Sequence, residues 1–337
     1  MKKILSFVLV LIFILGLCAC GTPAKENKPQ ESQTQQTPGE VKSLKILTLG
    51  HSLALDSGHM LAMIAEKEGE LDLTVGTLYF SGCPLNKHVE FMNSDSTAYK
   101  LYISSTKTAG QIPQVMQDMT MRRAVAYDRW DIIIMQGGVF EIAEKNTYTS
   151  RDIQKIQEFV NENKLNPDAV FAWHMPWAPP TDNNLRDTYP YDNNTYYTSY
   201  LPYGNDRTTL YKAITKCVGE HILTDETFTF MIPTGTAMEN ALSSYLEETD
   251  LHRDYVHASD LGRVIASYTW YCKLAGIEKL EEIKLDAIPQ NFLKSIDSAQ
   301  DYVLTDMEKD IILESVNNAL AQPLQMTQSQ YTTAPTA

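Results

Sequence analysis

Apolar positions along this chain fall into two rhythms, short unbroken runs and longer stretches with helical spacing, and the two alternate. Leu44-Lys45-Ile46-Leu47-Thr48-Leu49 is a short run that stops at Gly50 and reads as a buried parallel strand. Met60, Leu61, Ile64 and Ala65 follow at helical spacing, with Gly69 as the stop. Leu71, Leu73 and Val75 alternate toward Tyr79 and predict a second strand ending at Ser81-Gly82-Cys83. Pro84 to Gly110 is polar and gives no assignment, and Ile112 to Ala126 reads as a helix. Asp131 to Gln136 is the clearest buried strand, closed by Gly137-Gly138. A helix carrying Ile153, Ile156, Phe159 and Val160 precedes a strand from Ala169 to Trp173 that ends at His174. Leu210, Ile214, Val218 and His221 mark another helix, and Phe228, Phe230 and Ile232 share one face of a fifth strand. Helices are expected over Met238 to Leu246 and Leu261 to Ala275.

Strands alternating with helices imply an α/β domain with a central, mostly parallel five-stranded sheet covered on both faces. Ligands of such sheets sit outside the carboxyl ends of the strands. Ser52, Gly82, Gln136 and His174 each fall just past a predicted strand end. The domain spans 44–321.

The flanks read differently. Residues 1–20 open with Lys2-Lys3, run apolar from Ile4 to Leu17 and end in Leu17-Cys18-Ala19-Cys20. That is the pattern of a signal peptide closing on a bacterial lipoprotein box, with Cys20 as the lipidated residue. The expectation is an extracytoplasmic protein anchored to the membrane by lipid. Residues 21–43 are polar and Pro-containing, a disordered tether, and 322–337 has the composition of a flexible tail. The net charge of −14 argues against nucleic acid and against adhesion to anionic lipid. Cys83, Cys217 and Cys272 are too few and too dispersed to form a disulfide framework, and Cys83 reads as a packing residue.

The candidate chemistry lies in Gly50-His51-Ser52 and Asp254-Tyr255-Val256-His257. A serine hydroxyl is a poor nucleophile until an imidazole takes its proton, and the imidazole needs a carboxylate to fix its tautomer. The three-residue step lets Asp254 and His257 face the same way. Ester hydrolysis by such a trio needs no cofactor. No His-Glu-x-x-His or similar spacing occurs, so no metal is expected.

Five segments, Ile46 to Ser52, Leu78 to Cys83, Phe171 to Trp177, Ile232 to Ala237 and Asp254 to Ser259, in this order resemble the SGNH/GDSL hydrolase superfamily. The particular resemblance is to an SGNH-like group of bacterial lipoproteins that carries a domain of unknown function. It implies a three-layer flavodoxin-like fold with Ser52 as nucleophile, His257 as base and Asp254 as its partner. It also implies an oxyanion site from the backbone N–H groups of Ser52 and Gly82 and a side-chain amide. Two positions depart from the pattern. His51 stands where a small polar residue is usual, and Gln136 stands where the third block has asparagine. Gln136 either donates to the oxyanion or orders its loop.

Met175 to Gly204 is dense in Trp, Tyr, Pro and Asn. Its aromatics either overhang the site and hold sugar rings or pack the segment onto itself. His174 and Trp177 are the candidate substrate contacts within this reading. The expected activity is removal of acetyl or similarly small acyl groups from a carbohydrate. The alternatives are a non-catalytic carbohydrate-binding lipoprotein on the same scaffold and a lipid or peptidoglycan esterase.

Overall fold

The computed structural model describes residues 41–138, 141–181, 201–204, 206–289 and 301–335. The expected signal segment, Cys20, most of the tether and Tyr189 to Tyr200 lie outside these residues.

A seven-stranded sheet forms the middle layer: β1 Lys42–Gly50, β2 Leu71–Tyr79, β3 Tyr99–Ser105, β4 Gln114–Met119, β5 Ile132–Met135, β6 Val170–His174 and β7 Phe228–Ile232, in the order β4-β3-β2-β1-β5-β6-β7. β2, β1, β5, β6 and β7 are mutually parallel, as the alternation of runs and helical stretches predicts. β3 and β4 extend the sheet in antiparallel sense beyond β2. The segment read as one helix from Ile112 to Ala126 is instead β4 followed by a short helix, α4 Met121–Val125, which Thr120 caps by accepting from the Arg123 N–H. β3, in the stretch that gave no assignment, supplies the hydrogen-bond partner that makes 114–119 a strand.

Side chains alternate across the sheet. Leu44 and Ile46 of β1 point to one face, where α1 Ser52–Gly58, α2 Leu61–Glu68, α8 Thr234–Ala241, α10 Asp260–Ala275 and α11 Asp306–Ala321 pack. Leu47 and Leu49 point to the other, against α3 Leu85–Asn93, α4, α5 Lys145–Thr149, α6 Asp152–Asn163 and α7 Arg207–His221. The short helix α9 Glu248–Leu251 precedes the Asp-x-x-His segment. A two-stranded ribbon, β8 Ala287–Ile288 and β9 Tyr302–Val303, stands apart from the main sheet.

The tail expected to be loose lies along α8 over its described part. Thr236 Oγ1 donates to Pro323 O (2.6 Å), Thr327 N to Asn240 Oδ1 (2.7 Å) and Tyr245 N to Tyr331 O (2.8 Å). Its docking uses backbone hydrogen bonds more than apolar burial, so polar composition did not reveal it.

β1 is the central strand, with β2 on one side and β5 on the other. The chain reverses its direction of sheet growth there, which opens a crevice at the carboxyl end of β1. The candidate site occupies this crevice.

Candidate active site

Ser52 is the first residue of α1, directly after β1, and His51 is its N-cap. His51 is fully buried. Its Nε2–H donates to Gly137 O (2.8 Å) and its Nδ1 accepts from Leu53 N (3.4 Å), so one neutral tautomer satisfies both contacts. Burial pushes this imidazole down to about 4, against the raising effect of the Gly137 carbonyl. The unusual histidine therefore does the work of a small capping residue and also ties the serine turn to the exit of β5.

Asp254 and His257 form the expected pair. The imidazole Nδ1–H donates to both carboxylate oxygens, at 2.8 Å to Oδ2 and 3.0 Å to Oδ1. Oδ1 also accepts from the backbone N–H of His257 (2.8 Å) and Val256 (3.0 Å). Burial alone would raise the Asp254 carboxyl, but the bonds and charge of His257 hold it down at about 2. With Nδ1 engaged, Nε2 is the nitrogen left to accept a proton. His257 and Ser52 line the same cavity of about 540 Å³.

A buried ionic cluster that sequence reasoning missed holds these pieces together. Asp56, on α1 four residues after the serine, is 3% exposed. It accepts from Arg253 Nη1 (3.0 Å), Arg263 Nε (3.0 Å) and the Ala258 N–H (3.1 Å). Arg263 also donates to Asp260 (3.0 Å), and Arg253 to the carbonyl of Ala258. Burial would raise the Asp56 carboxyl, yet the Arg263 and Arg253 guanidiniums hold it below the usual carboxylate range. The helix bearing Ser52 is thus joined to both sides of the Asp254–His257 segment. Replacing Asp56 by alanine leaves two guanidiniums without their shared counter-charge. Urea denaturation is expected to show a loss of about 3–5 kcal/mol, and the activity remaining in folded variant should fall because the relay loop is no longer fixed.

Gly82 follows β2, and the N–H of Phe80, the residue after β2, donates to Gly50 O (3.2 Å) and keeps the β1 and β2 exits adjacent. Gly82 has φ +59°, which suits a residue without Cβ. Gln136 follows β5 and is buried at 1% exposure. His174 Nδ1–H donates to its Oε1 (2.9 Å), which turns the amide nitrogen toward β1. A Cβ on Gly50 would lie 2.5 Å from that Nε2, so glycine is needed for the approach. Gln136 Nε2 has no hydrogen-bond partner and sits behind Gly50 rather than on the cavity wall.

His174 and Trp177 are not where substrate contacts must be. Both are 0% exposed. His174 stacks edge-on to Trp270 of α10 (4.9 Å between centroids) and fixes Gln136. Trp177 Nε1–H donates to Val256 O (2.8 Å), pinning the relay segment to the core. Packing of α10 over the sheet closes off the strand end that sequence position alone made look open. Of the aromatic segment, Tyr203 donates to Ala143 O (3.2 Å), and Tyr189 to Tyr200 lie outside the described residues. Burial pushes the Cys83 thiol up to about 12. Among the described residues no cluster of three or more His, Cys, Asp or Glu could hold a metal ion.

A three-layer α/β domain with serine after the first strand and Asp-x-x-His before a late helix is the arrangement that the resemblance to SGNH hydrolases implies. The chain belongs to the DUF4886 family, a domain of unknown function, whose profile matches residues 45–289. A crystal structure of a DUF4886 family protein from Bacteroides uniformis superposes with a TM-score of 0.68 at 21% identity, covering 85% of this chain and 98% of that one. The likeness is one of fold. A candidate SGNH hydrolase from Slackia heliotrinireducens gives a TM-score of 0.40 at 18% identity, over 70% of this chain and 99% of that one. A salicylyl-acyltransferase from a tetracycline biosynthetic pathway gives 0.33 at 14%, over 69% and 55%. No curated protein sequence matches the chain.

Proposed function

We propose that this protein is a serine carboxylic-ester hydrolase that removes acetyl or similarly small acyl groups from carbohydrate. The observation that carries the chemistry is the shared cavity of Ser52 and His257, with the imidazole Nδ1 already engaged by an ionised Asp254. Ser52 Oγ attacks the ester carbonyl while His257 Nε2 takes its proton. The oxyanion of the tetrahedral intermediate is met by the Ser52 and Gly82 backbone N–H groups. When it collapses, the same imidazole gives its proton to the departing alkoxide. Water, deprotonated by His257, then releases the acyl group as carboxylate and frees Ser52.

Carbohydrate as the alcohol is supported by Tyr79 and Tyr102 in the cavity, with Thr77, Ser104 and Gln117 beside them. Aromatic faces suit the apolar side of a sugar ring, and hydroxyl and amide groups suit its rim. Treating folded protein with a fluorophosphonate tests the chemistry. Covalent labelling at Ser52, absent in Ser52→Ala, is the expected result. No labelling of folded wild type would favour a second reading, a carbohydrate-binding module without turnover. The burial of Gln136 Nε2 behind Gly50 favours that reading, because a third oxyanion donor is not presented.

We place the protein at the outer face of the cell membrane through lipid on Cys20, on the sequence pattern alone. Cys20→Ser is expected to move it from the membrane fraction to the soluble fraction on cell fractionation.

A further inference from the structure

We propose that the open face of β2, β3 and β4 is the subsite for the alcohol half of the ester, and that Tyr102 and Val115 select a ring-shaped, polyhydroxylated alcohol. This rests on the esterase reading and adds to it where the leaving group lies and what it contacts.

Three observations converge. The first is placement. Val75, Thr77 and Tyr79 of β2, Tyr102 and Ser104 of β3 and Val115 of β4 all line the cavity that holds Ser52 and His257. They are alternate positions, and the register pairs Val75 with Ser104, Thr77 with Tyr102, and Tyr102 with Val115. They therefore form one continuous floor on one side of the sheet. α1 walls it on the β1 side, but the floor is open farther out, where Val115 is 39% exposed and Ile112 60%.

The second is polarity of the reaction. His257 and Arg253 border this cavity, whereas Gly82 and Gln136 do not. The imidazole must protonate the departing oxygen, while the oxyanion turns toward the backbone donors. The space on the imidazole side is thus where the alcohol departs, and the remainder of the acyl group points away from it.

The third is the chemistry of the floor. The Tyr79 and Tyr102 rings both line this floor and meet edge to face, 5.8 Å apart at 87°. Thr77 and Ser104 add hydroxyls on the same face. A cavity of about 540 Å³ is far larger than an acetyl group requires. Interleaved rings and hydroxyls fit a sugar better than a uniform alkyl chain.

The test varies the alcohol at constant acyl group. The full chain is assayed with 6-O-acetylglucose and with ethyl acetate, as wild type, Tyr102→Ala and Val115→Asp, with thermal melts to confirm folding. Wild type should favour the sugar ester in kcat/KM by roughly tenfold or more, and Tyr102→Ala should cut that ratio by about tenfold, mainly through KM, the size of one aromatic contact. Val115→Asp, on the exposed rim, should cut it in the same direction. A ratio near one in wild type, or a ratio unchanged in both variants, with Ser52 still labelled by fluorophosphonate, would overturn the subsite and leave the esterase standing. Variants that instead change octanoyl against acetyl preference would show that the floor holds the acyl chain. Folded wild type with neither labelling nor turnover of any ester would remove both readings.

Discussion

Ser52→Ala is expected to lower kcat on a chromogenic acetate ester by about 10⁴-fold or more while leaving the thermal midpoint nearly unchanged. The expectation follows from the role of a nucleophile that acts as one unit with its base, where removing either member forfeits almost all covalent catalysis. The stability half follows from the surroundings. The fold in this region is held by His51, Asp56 and Trp177 and not by the Ser52 hydroxyl. His257→Ala should give a loss of similar size, and the double variant should lose little more than either single one. Additive losses would instead mean that the two side chains act separately. Asp254→Asn should cost less than either, since an amide keeps much of the geometry but cannot stabilise an imidazolium. Steady-state kinetics on the four proteins, with Ser52 labelling as the second readout, decides the matter.

The second large effect is loss of stability in mild acid. Four histidines are buried: His51, His88, His174 and His252. Burial pushes them down, to about 4 for His51 and His252, to about 3 for His88, and well below the ordinary value for His174. In the unfolded chain each binds a proton near pH 6.5. Below that pH the unfolded state therefore holds more protons than the folded one, and stability falls as pH falls. It is full above about pH 6.5 and declines toward about pH 4, with each histidine contributing a slope of about 1.4 kcal/mol per pH unit. Glu239 acts in the opposite sense. Burial raises its carboxyl to about 7 despite Arg207 beside it, so it takes up a proton in the folded state and offsets about one histidine. The expected slope is about 4 kcal/mol per pH unit through this window. Chemical denaturation at pH 7, 6 and 5 measures it directly. A flat profile would mean that these rings gain protons without unfolding. His252→Gln should reduce the slope by about 1.4 kcal/mol per pH unit, since it removes one buried ring that takes its proton only on unfolding.

The sequence made the parallel core and the Asp254–His257 pair legible because their signals are local. Leu44 to Leu49 and Asp131 to Gln136 are unbroken runs, and Asp254 reaches His257 within one turn of chain. β3 and β4 carried no such signal. They are half-exposed, and what makes them strands is pairing with β2 and with each other. The Asp56 cluster was invisible for a related reason. Its partners Arg253 and Arg263 lie 197 and 207 residues away, and nothing in either neighbourhood announces the contact. His174 and Trp177 misled because position past a strand end shows where a site can be, whereas exposure depends on what packs over it. α10 packs there, and Trp270 covers the ring of His174. His51, which stands where the resemblance has a small polar residue, has two hydrogen bonds that account for it.

The antiparallel pair β3–β4 hangs from the outer edge of β2, while every reacting group stems from β1, β2 or the segment before α10. On the proposed reading, Tyr102, Ser104 and Val115 of the alcohol floor are thus carried by strands that hold no reacting group, while Thr77 and Tyr79 stay on β2. A hairpin with a different pattern of side chains could be exchanged at this border without disturbing the interior strands. Under the esterase proposal, relatives that keep Ser52, Asp254 and His257 would then differ in the alcohol they accept through this ribbon, which is the first place to look for divergence among them.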